Sequence, residues 1–398
     1  MCTFETVSVV SPLRPSSSPD ASTSTDQNND NIPPPQDAAK LPDASILCHL
    51  VDVHCHPTDA PELLTFAAME GLQMTVCAMS THGDDQDRVR GLAEKYPDKV
   101  VPCFGHHPWW SHLISTTDDT EPDKETHYRR LFLPNTVSDS SQTNSKPTPP
   151  NHEAAFTSLL PHLPPPRPLS SILTELRTNL NLFPTAMLGE VGLDRIFRVP
   201  IQYHVAPGEK RELTPFTISL DHQLKVLKAQ LLVAVELGRN FNVHSVKAQQ
   251  ATVDLLAEVR KEVGEEKWMR KKHNNVFLSL STVINHNHGS MRDLIATCSQ
   301  DRILAESDFY DISRCTAQTW DMVQIIAEVK GWRVESSWDY TTDGDGTDNT
   351  NAVKEGEESW GVVKKLERNW FRFRDGNHPI PEKKKNRRER QLRDHDVD

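Results

Sequence analysis

Two histidines stand one residue apart at the end of a short apolar run. The residues from Leu50 to Val53 are apolar and partly β-branched, which predicts a buried strand. Side chains along a strand alternate between its faces, so we expect His54 and His56 on one face and Cys55 on the other. Two imidazoles on one face can bind one metal ion. Two partly exposed loop histidines would give the same pattern, so a metal site is predicted only if other parts of the chain supply further ligands.

Further metal-capable side chains lie at or near the ends of later predicted strands, namely His107, Glu190, His244 and Asp308. If the strands form a parallel (β/α) barrel, all their carboxyl ends lie on one rim. A single histidine at a strand end is usually structural. Several nitrogen and oxygen ligands at successive strand ends are much harder to obtain by chance, so the sequence predicts a metal site.

The elements that position these residues alternate between strand and helix. Apolar runs predict strands at 72–79, 100–104, 186–194, 240–244, 276–283 and 302–308. Helical spacing predicts helices at 60–71, 85–95, 172–180, 220–238 and 251–263. This alternation is typical of a parallel α/β fold, and we place a single barrel domain at 46–378.

Four segments lack a regular apolar period. Residues 1–45 are rich in Ser, Pro, Asp and Asn and are expected to be a disordered tail. Irregular insertions are expected at about 115–171, with a helix near 153–160, and at the acidic segment 334–358. Residues 379–398 form a basic tail, expected to be disordered. For this tail a solvated charge run is favoured over a nucleic-acid-binding patch.

Composition excludes some classes of protein. A formal charge of −12 argues against non-specific duplex binding, which needs a basic surface. Seven scattered cysteines suit reduced thiols in the cytoplasm or nucleus better than a disulfide framework. No stretch is apolar and long enough to span a membrane, and the N-terminus lacks the pattern of a secretory signal.

Five motifs occur in the order seen in TatD-type metal-dependent hydrolases. They are Asp52-Val53-His54-Cys55-His56, Gly105-His106-His107-Pro108, Gly189-Glu190-Val191-Gly192-Leu193-Asp194, Val243-His244-Ser245 and Leu304-Ala305-Glu306-Ser307-Asp308. The chain resembles this family over about residues 50–333 and again around Trp370. The resemblance implies a TIM-type barrel, one or two divalent cations, and hydrolysis of phosphodiester bonds in DNA.

The resemblance also implies roles for individual residues. His54, His56 and Asp308 would bind a first ion, Glu190 would lie between two ions, and His244 would bind the second. Glu190 and Asp308 would be the catalytic residues, with Asp308 accepting a proton from the attacking water. The substrate-binding assignments are His107, Asp194 and Arg195; for the last two, a turn aspartate and a surface arginine are equally good interpretations. Mixed His and carboxylate ligands do not distinguish Mg, Mn and Zn.

One family motif is missing. The family has a further strand that ends in His, followed by an aromatic residue and Ser/Thr-Gly-Ser, and it should follow His244. Between residues 245 and 275 we find one helix and a polar run, so we predict that the barrel lacks one β/α unit and a second-ion ligand. Three explanations stay open: a degenerate homologue, an incomplete gene product, or replacement by His286 and His288.

Three functions compete at this point. The first is a TatD-like deoxyribonuclease with a weakened second metal site. The second is a barrel that serves as an interaction module, binding a protein partner through its loops and basic tail. The third is an amidohydrolase of small molecules, which is disfavoured because Lys247 lies beyond His244 and not on the strand where a carbamylated ligand would be needed.

Overall fold

The computed structural model describes residues 7–10, 41–134, 150–203, 211–264, 276–285, 289–338 and 359–376. Its strands are β1 (Val7–Val10), β2 (Val51–Cys55), β3 (Thr75–Met79), β4 (Val100–Phe104), β5 (Ile114–Ser115), β6 (Arg167–Pro168), β7 (Met187–Asp194), β8 (Arg198–Pro200), β9 (Leu213–Thr217), β10 (Phe241–Val246), β11 (Val276–Leu280) and β12 (Ile303–Ala305).

The α-helices are α1 (Ala44–Leu47), α2 (Phe66–Gly71), α3 (Gly83–Lys95), α4 (Lys124–Phe132), α5 (Pro150–Leu159), α6 (Leu169–Leu182), α7 (Leu220–Leu237), α8 (Gln249–Val263), α9 (Thr282–Asn285), α10 (Met291–Thr297), α11 (Ile312–Lys330) and α12 (Val362–Asp375). Short 3-10 helices span Pro61–Leu63, Pro108–Leu113 and Leu160–His162. None of the described helices is both long enough and apolar enough to cross a membrane.

Eight strands form one parallel sheet, in the order β12-β11-β1-β10-β7-β4-β3-β2. Its two ends are joined because Asp308 N donates to His54 O and His56 N donates to Phe309 O, each at 2.9 Å. The Asp52 carboxylate adds to this closure by accepting hydrogen bonds from Ser307 N (2.9 Å) and Ser307 Oγ (2.5 Å). The sheet therefore curls into a barrel, and the predicted TIM-type α/β fold is confirmed.

The barrel position predicted to be missing is occupied from the other end of the chain. Among the described residues between β10 and β11 there is one helix, α8, and no strand. β1 lies between these two strands and pairs in parallel with both, with Val9 opposite Val243 and Val7 opposite Val276. This differs from the expected disordered tail at 1–45. The physical reason is that a Val-Ser-Val-Val run favours strand structure and the absent unit leaves two strand edges to pair.

The insertion at 115–171 is also more regular than expected. It contains α4 and α5, and their apolar side chains form a separate cluster with the β8–β9 hairpin. The buried members of this cluster include Tyr128, Phe132, Phe156 and Phe216. The Ser/Thr/Pro-rich part of the insertion, 135–149, lies outside the described residues, as do most of the predicted insertion at 334–358 and all of the tail at 379–398.

The C-terminal helix α12 covers the barrel end opposite the predicted site. Trp370 and Phe373 pack in one buried cluster with strand residues that include Val53 and Phe277. The Asn369 side-chain amide donates to Ile303 O at 2.9 Å, at the amino end of β12. This helix therefore closes the floor of the barrel and leaves the carboxyl ends of the strands as the open face.

Candidate metal centre

Two of the strands that carry predicted ligands contain one extra residue relative to their neighbours. On β2, three steps from Asp52 to Cys55 are matched by two steps from Val76 to Ala78 on β3. On β7, three steps from Leu188 to Val191 are matched by two on β10. An extra residue of this kind re-aims a side chain, and here the affected stretches contain His54 and Glu190.

Four side chains from three strand ends meet at the open face. His54 Nε2 lies 3.0 Å from His56 Nε2. Asp308 Oδ1 lies 3.6 Å from the first nitrogen and 3.3 Å from the second. Glu190 Oε2 lies 3.5 Å and 3.4 Å from the same two atoms. The side chains are largely buried, and Asp308, at 20% exposure, is the most open of the four.

These separations fit one divalent cation. Ligand atoms about 2.1 Å from a tetrahedral ion lie roughly 3.4 Å from one another. The five separations given above run from 3.0 to 3.6 Å. Two imidazole nitrogens and two carboxylate oxygens also form a common donor set for Zn, Mn or Fe. His54, His56 and Asp308 form a group whose ligand atoms could hold the predicted ion, and Glu190 Oε2 lies beside both histidines of that group.

Asp308 has an unusual backbone conformation. Its φ is +49°, in the left-handed region that few residues other than glycine adopt. Aspartate tolerates this region better than most residues. The hydrogen bond from Asp308 N to His54 O, at 2.9 Å, fixes the turn after β12, so the carboxylate is held beside the histidine pair.

The second oxygen of Glu190 faces another pair of histidines. Glu190 Oε1 lies 3.2 Å from His244 Nδ1 and 3.7 Å from His107 Nε2. The other ring nitrogen of His244, Nε2, lies 3.3 Å from Asp194 Oδ2. A carboxylate at this position favours the tautomer with a proton on Nε2, which leaves the Nδ1 lone pair for an ion. Glu190 is thus shared between two groups of side chains.

Asp194 is buried inside this arrangement and does not line an open surface. Its Oδ2 also accepts a hydrogen bond from Trp109 Nε1 at 2.8 Å, and its Oδ1 accepts from Ile196 N and Phe197 N, both at 2.9 Å. The residue is 3% exposed. Its contacts orient His244 and the turn after β7, and the substrate-binding role assigned to it stays a prediction.

The charges of these groups depend on one another. Burial lowers the pKa of His56 and of His244, but the facing carboxylates outweigh it and raise each pKa to about 9. Burial raises the pKa of Glu190, yet the surrounding histidines hold it well below its usual range. Burial dominates at His107, whose pKa falls to about 3. Without a cation, protons on the histidines therefore offset the carboxylates.

A glycine allows β7 and β10 to approach beside His244. Gly192 has a φ of +156°, and an added Cβ would lie 2.0 Å from His244 O. No larger residue fits this backbone without moving the strand that carries His244. The Gly-Leu-Asp part of the motif is therefore explained by a close approach of two strands.

The other predicted residues have varied positions. Arg195 is exposed just after β7 and Lys247 is exposed beyond β10, so neither is part of the two groups of ligand atoms. His286 and His288 lie outside the described residues. A further group, Asp52, Cys55 and Cys315, is buried, and its carboxylate is already bonded to Ser307. We assign that group to barrel closure.

Sequence reasoning missed two residues near the centre. Trp109 holds Asp194 and packs its ring against His107, with centroids 4.9 Å apart. Glu306 is buried beside the centre and accepts a hydrogen bond from Ser279 Oγ; its burial raises the pKa to about 8. The Glu306-Ser307-Asp308 motif could have indicated the second, whereas nothing in the sequence indicated the tryptophan.

A parallel barrel with histidine and carboxylate side chains gathered on its open rim is typical of metal-dependent hydrolases. Comparison with known families agrees: residues 51–344 match the model of the family described as TatD related DNase. The chain belongs to this family, whose members depend on metal ions.

Individual relatives cover most of the chain. It is 28% identical over 339 residues to "Cut9-interacting protein scn1" of Schizosaccharomyces pombe, covering 72% of this chain and 95% of that protein. It is 27% identical over 323 residues to "Uncharacterized deoxyribonuclease YMR262W" of Saccharomyces cerevisiae, covering 74% and 94%. A crystal structure of YJJV, a TatD homologue from Escherichia coli, aligns over 84% of this chain and 100% of its own, with a TM-score of 0.46 and 14% identity.

Proposed function

We propose that this protein is a metal-dependent phosphodiesterase that cleaves DNA, with a second metal site weaker than the first. The observation that carries the proposal is the meeting of His54, His56 and Asp308 at separations that fit one cation, with Glu190 Oε2 beside the two histidines. Family membership supports DNA as the substrate. Mg, Mn and Zn are all compatible with this ligand set.

The proposed chemistry divides between the ion and the chain. A bound divalent cation brings the pKa of water toward neutrality and polarises a phosphoryl oxygen. Asp308 is the most open carboxylate of the four ligands, and we assign it the proton of the attacking water. Glu190, His54 and His56 would hold the cation. Arg195 is exposed and available to contact a DNA phosphate.

The test combines metal content with cleavage of a single-stranded oligonucleotide in Mg²⁺, Mn²⁺ or Zn²⁺. We expect His54→Ala and Asp308→Asn to lower the rate by about two to three orders of magnitude, as when one charge-stabilising group is lost. Chelation with EDTA should abolish cleavage. The exposed residues His162 and Asp118 provide matched controls, His162→Ala and Asp118→Asn, which should behave like the unaltered protein. The proposal would be refuted if the purified protein bound none of these ions and cut no nucleic acid in the presence of any of them.

A second candidate is a protein-interaction role. The S. pombe relative is named for its interaction with Cut9, and this chain carries a separately packed insertion built on α4 and α5. In a pull-down, a partner bound through the insertion or the basic tail would be retained by His54→Ala and lost on deletion of 379–398 or 119–163. If neither deletion changes what is captured, the interaction role loses its support and the enzyme remains as the proposed function. A cytoplasmic or nuclear location stays a prediction from the sequence.

A further inference from the structure

Two basic residues lie side by side on the rim that carries the candidate metal centre. In the pairing of β7 with β10, Asp194 is opposite Val246. Arg195 and Lys247 directly follow this pair, and Arg195 N donates a hydrogen bond to Val246 O at 3.1 Å. Because paired strands lie about 5 Å apart, the two residues are neighbours at the ends of adjacent strands.

This part of the rim is next to the candidate ligands. Asp194, the residue before Arg195, has its Oδ2 3.3 Å from His244 Nε2. His244 lies on the same strand as the residue before Lys247, near its carboxyl end. A DNA strand that places one phosphate at the metal centre would therefore pass close to both basic residues.

Neither basic side chain has a partner in the described part of the chain. Both are exposed, and no ion pair or hydrogen bond joins either side chain to another described residue. Elsewhere on the surface, Arg177 pairs with Glu236 at 2.8 Å and Lys228 pairs with Glu258 at 2.7 Å. Two adjacent cations without such a counter-charge repel each other, so the pair favours binding of an anion.

The backbone of Lys247 is strained. Its φ is +52°, in the left-handed region. Only Lys247 and Ala248 connect β10, which ends at Val246, to α8, which begins at Gln249. Glycine adopts such a conformation at no steric cost, whereas lysine does not, and strained residues cluster at binding and active sites. The lysine is therefore better explained by its charge than by the turn.

We propose that Lys247 and Arg195 together bind a backbone phosphate of the DNA strand, next to the phosphate that the metal centre would hydrolyse. The inference rests on the proposed function, and it adds Lys247 to Arg195 as a residue that positions the substrate. Contacts of this kind fix the register of a nucleic acid without reading its sequence. The pair therefore positions the strand whatever bases it carries.

The test measures how tightly the full chain binds a labelled single-stranded oligonucleotide, in Mn²⁺ and at several NaCl concentrations. The linkages are phosphorothioates, which keep their negative charge and are hydrolysed slowly. We expect Lys247→Ala and Arg195→Ala each to lower the affinity by about 2- to 10-fold, the contribution of one hydrogen bond. The slope of log affinity against log salt concentration should fall by about 0.7 in each single variant and by about 1.4 in the double variant.

Further substitutions separate a phosphate contact from other effects. Lys261→Ala removes the same charge from an exposed position in the last turn of α8, and it should change neither the affinity nor the slope. Lys247→Gly relieves the backbone strain, so it should melt no lower than Lys247→Ala and bind the oligonucleotide just as weakly. Lys247→Arg keeps the charge and should bind like the unaltered protein. Elemental analysis should give the same metal content for all of these proteins.

The outcomes separate the alternatives. Unchanged affinity and slope in the double variant would overturn the inference, and so would an equal loss in Lys261→Ala. Recovery of affinity in Lys247→Gly would also overturn it, because the turn and not the charge would then matter. Absence of any binding by the unaltered protein would overturn it as well. Failure of the proposed function is distinct: an oligonucleotide with ordinary linkages would be bound through both residues but left uncut.

Discussion

Glu190 is the residue on which the centre depends, because its two oxygens serve two groups of histidines. A carboxylate in that position lowers the energy of any positive charge nearby, whether a proton or a metal ion. In the absence of an ion the protons reside on His56 and His244, whose pKa values rise to about 9. Metal binding must displace protons, so affinity for the ion and pH are coupled.

The coupling predicts how the stability of metal-free protein depends on pH. A histidine whose pKa rises on folding stabilises the protein fully below its unfolded pKa of about 6.5, and this contribution is lost as the pH passes through the folded value. With folded values of about 9, the melting temperature in EDTA should fall between pH 6.5 and pH 9. Differential scanning fluorimetry measures this. In His244→Gln the fall should be smaller, and a flat profile for the unaltered protein would contradict the expectation.

Asp194 offers a second test at this scale. Asp194→Asn keeps the size of the side chain but removes the charge that faces His244 Nε2 at 3.3 Å. We expect a 10- to 100-fold loss of DNA cleavage, which is typical when a group that orients a histidine is altered. A substrate-contact role would instead raise KM with kcat unchanged. Kinetics of Asp194→Asn and of the exposed control Asp118→Asn, which should be unaffected, distinguish the two roles.

The sequence indicated which residues meet at the site. What it could not predict has physical reasons. His54, Glu190 and Asp308 were predicted together because parallel strands share a rim. The burial of Asp194 was not predicted, because a motif after a strand does not reveal which way a turn side chain points. The orientation of the His107 ring was not predicted either, because it depends on a hydrogen bond that its Nδ1 accepts from Trp109 N.

At the scale of elements, the two strands with an extra residue are the ones that place side chains at the candidate site. The extra residues in β2 and β7 lie in the stretches that hold His54 and Glu190. The strand at 100–104 was predicted with its observed bounds, since an apolar run ends there at a glycine. A bulge is a property of two paired strands, so one sequence segment alone could not reveal it.

Gly192→Ala tests the close approach of β7 to β10. The added methyl group would lie 2.0 Å from His244 O, and the backbone conformation alone costs a non-glycine residue about 1–3 kcal/mol. We expect a lower melting temperature and a loss of DNA cleavage, because His244 must move. The control is Gly91→Ala in α3, where an added Cβ meets nothing within 4 Å and stability should increase by about 0.5–1 kcal/mol. Equal stability of both variants would contradict this account.

The contribution of β1 to the stability of the barrel can also be tested by substitution. Val9 lies in the middle of the β1–β10 pairing, and proline there would remove a backbone N–H from a central position of the sheet. Val9→Pro should destabilise the protein by at least about 1 kcal/mol, the contribution of one hydrogen bond, in denaturant unfolding. Val9→Ile keeps the N–H and the β-branch without adding a polar group, and it serves as the control. A Val9→Pro variant as stable as Val9→Ile would mean that β1 contributes nothing to the barrel.

At the scale of the whole molecule, charge decides how DNA approaches. The chain carries a formal charge of −12, so its attraction for a phosphate must be local to the metal centre. The insertion was expected to be irregular because its Ser/Thr/Pro content dominates the composition of the whole window. The apolar residues of α4 and α5 pack together with a hairpin distant in sequence, so the local pattern could not reveal their cluster.

This charge distribution predicts a weak dependence of DNA binding on salt. Each phosphate neutralised on a single strand contributes about 0.7 to the slope of log affinity against log salt concentration. One or two local contacts therefore give a shallow slope, measured by titrating a labelled oligonucleotide at several NaCl concentrations. A slope several times steeper would indicate an extended basic surface, and deletion of residues 379–398 would show whether the C-terminal tail supplies it.

The pairing of β1 between β10 and β11 has a consequence for synthesis on the ribosome. β1 has no partner in this sheet until β10 has been translated, and β11 follows later still, so the ring of strands cannot be sealed until both have been made. A segment fused ahead of Val7 would add chain to the end of the strand that must enter between β10 and β11. For expression, an affinity tag therefore belongs after the basic C-terminal segment and not at the start of the chain.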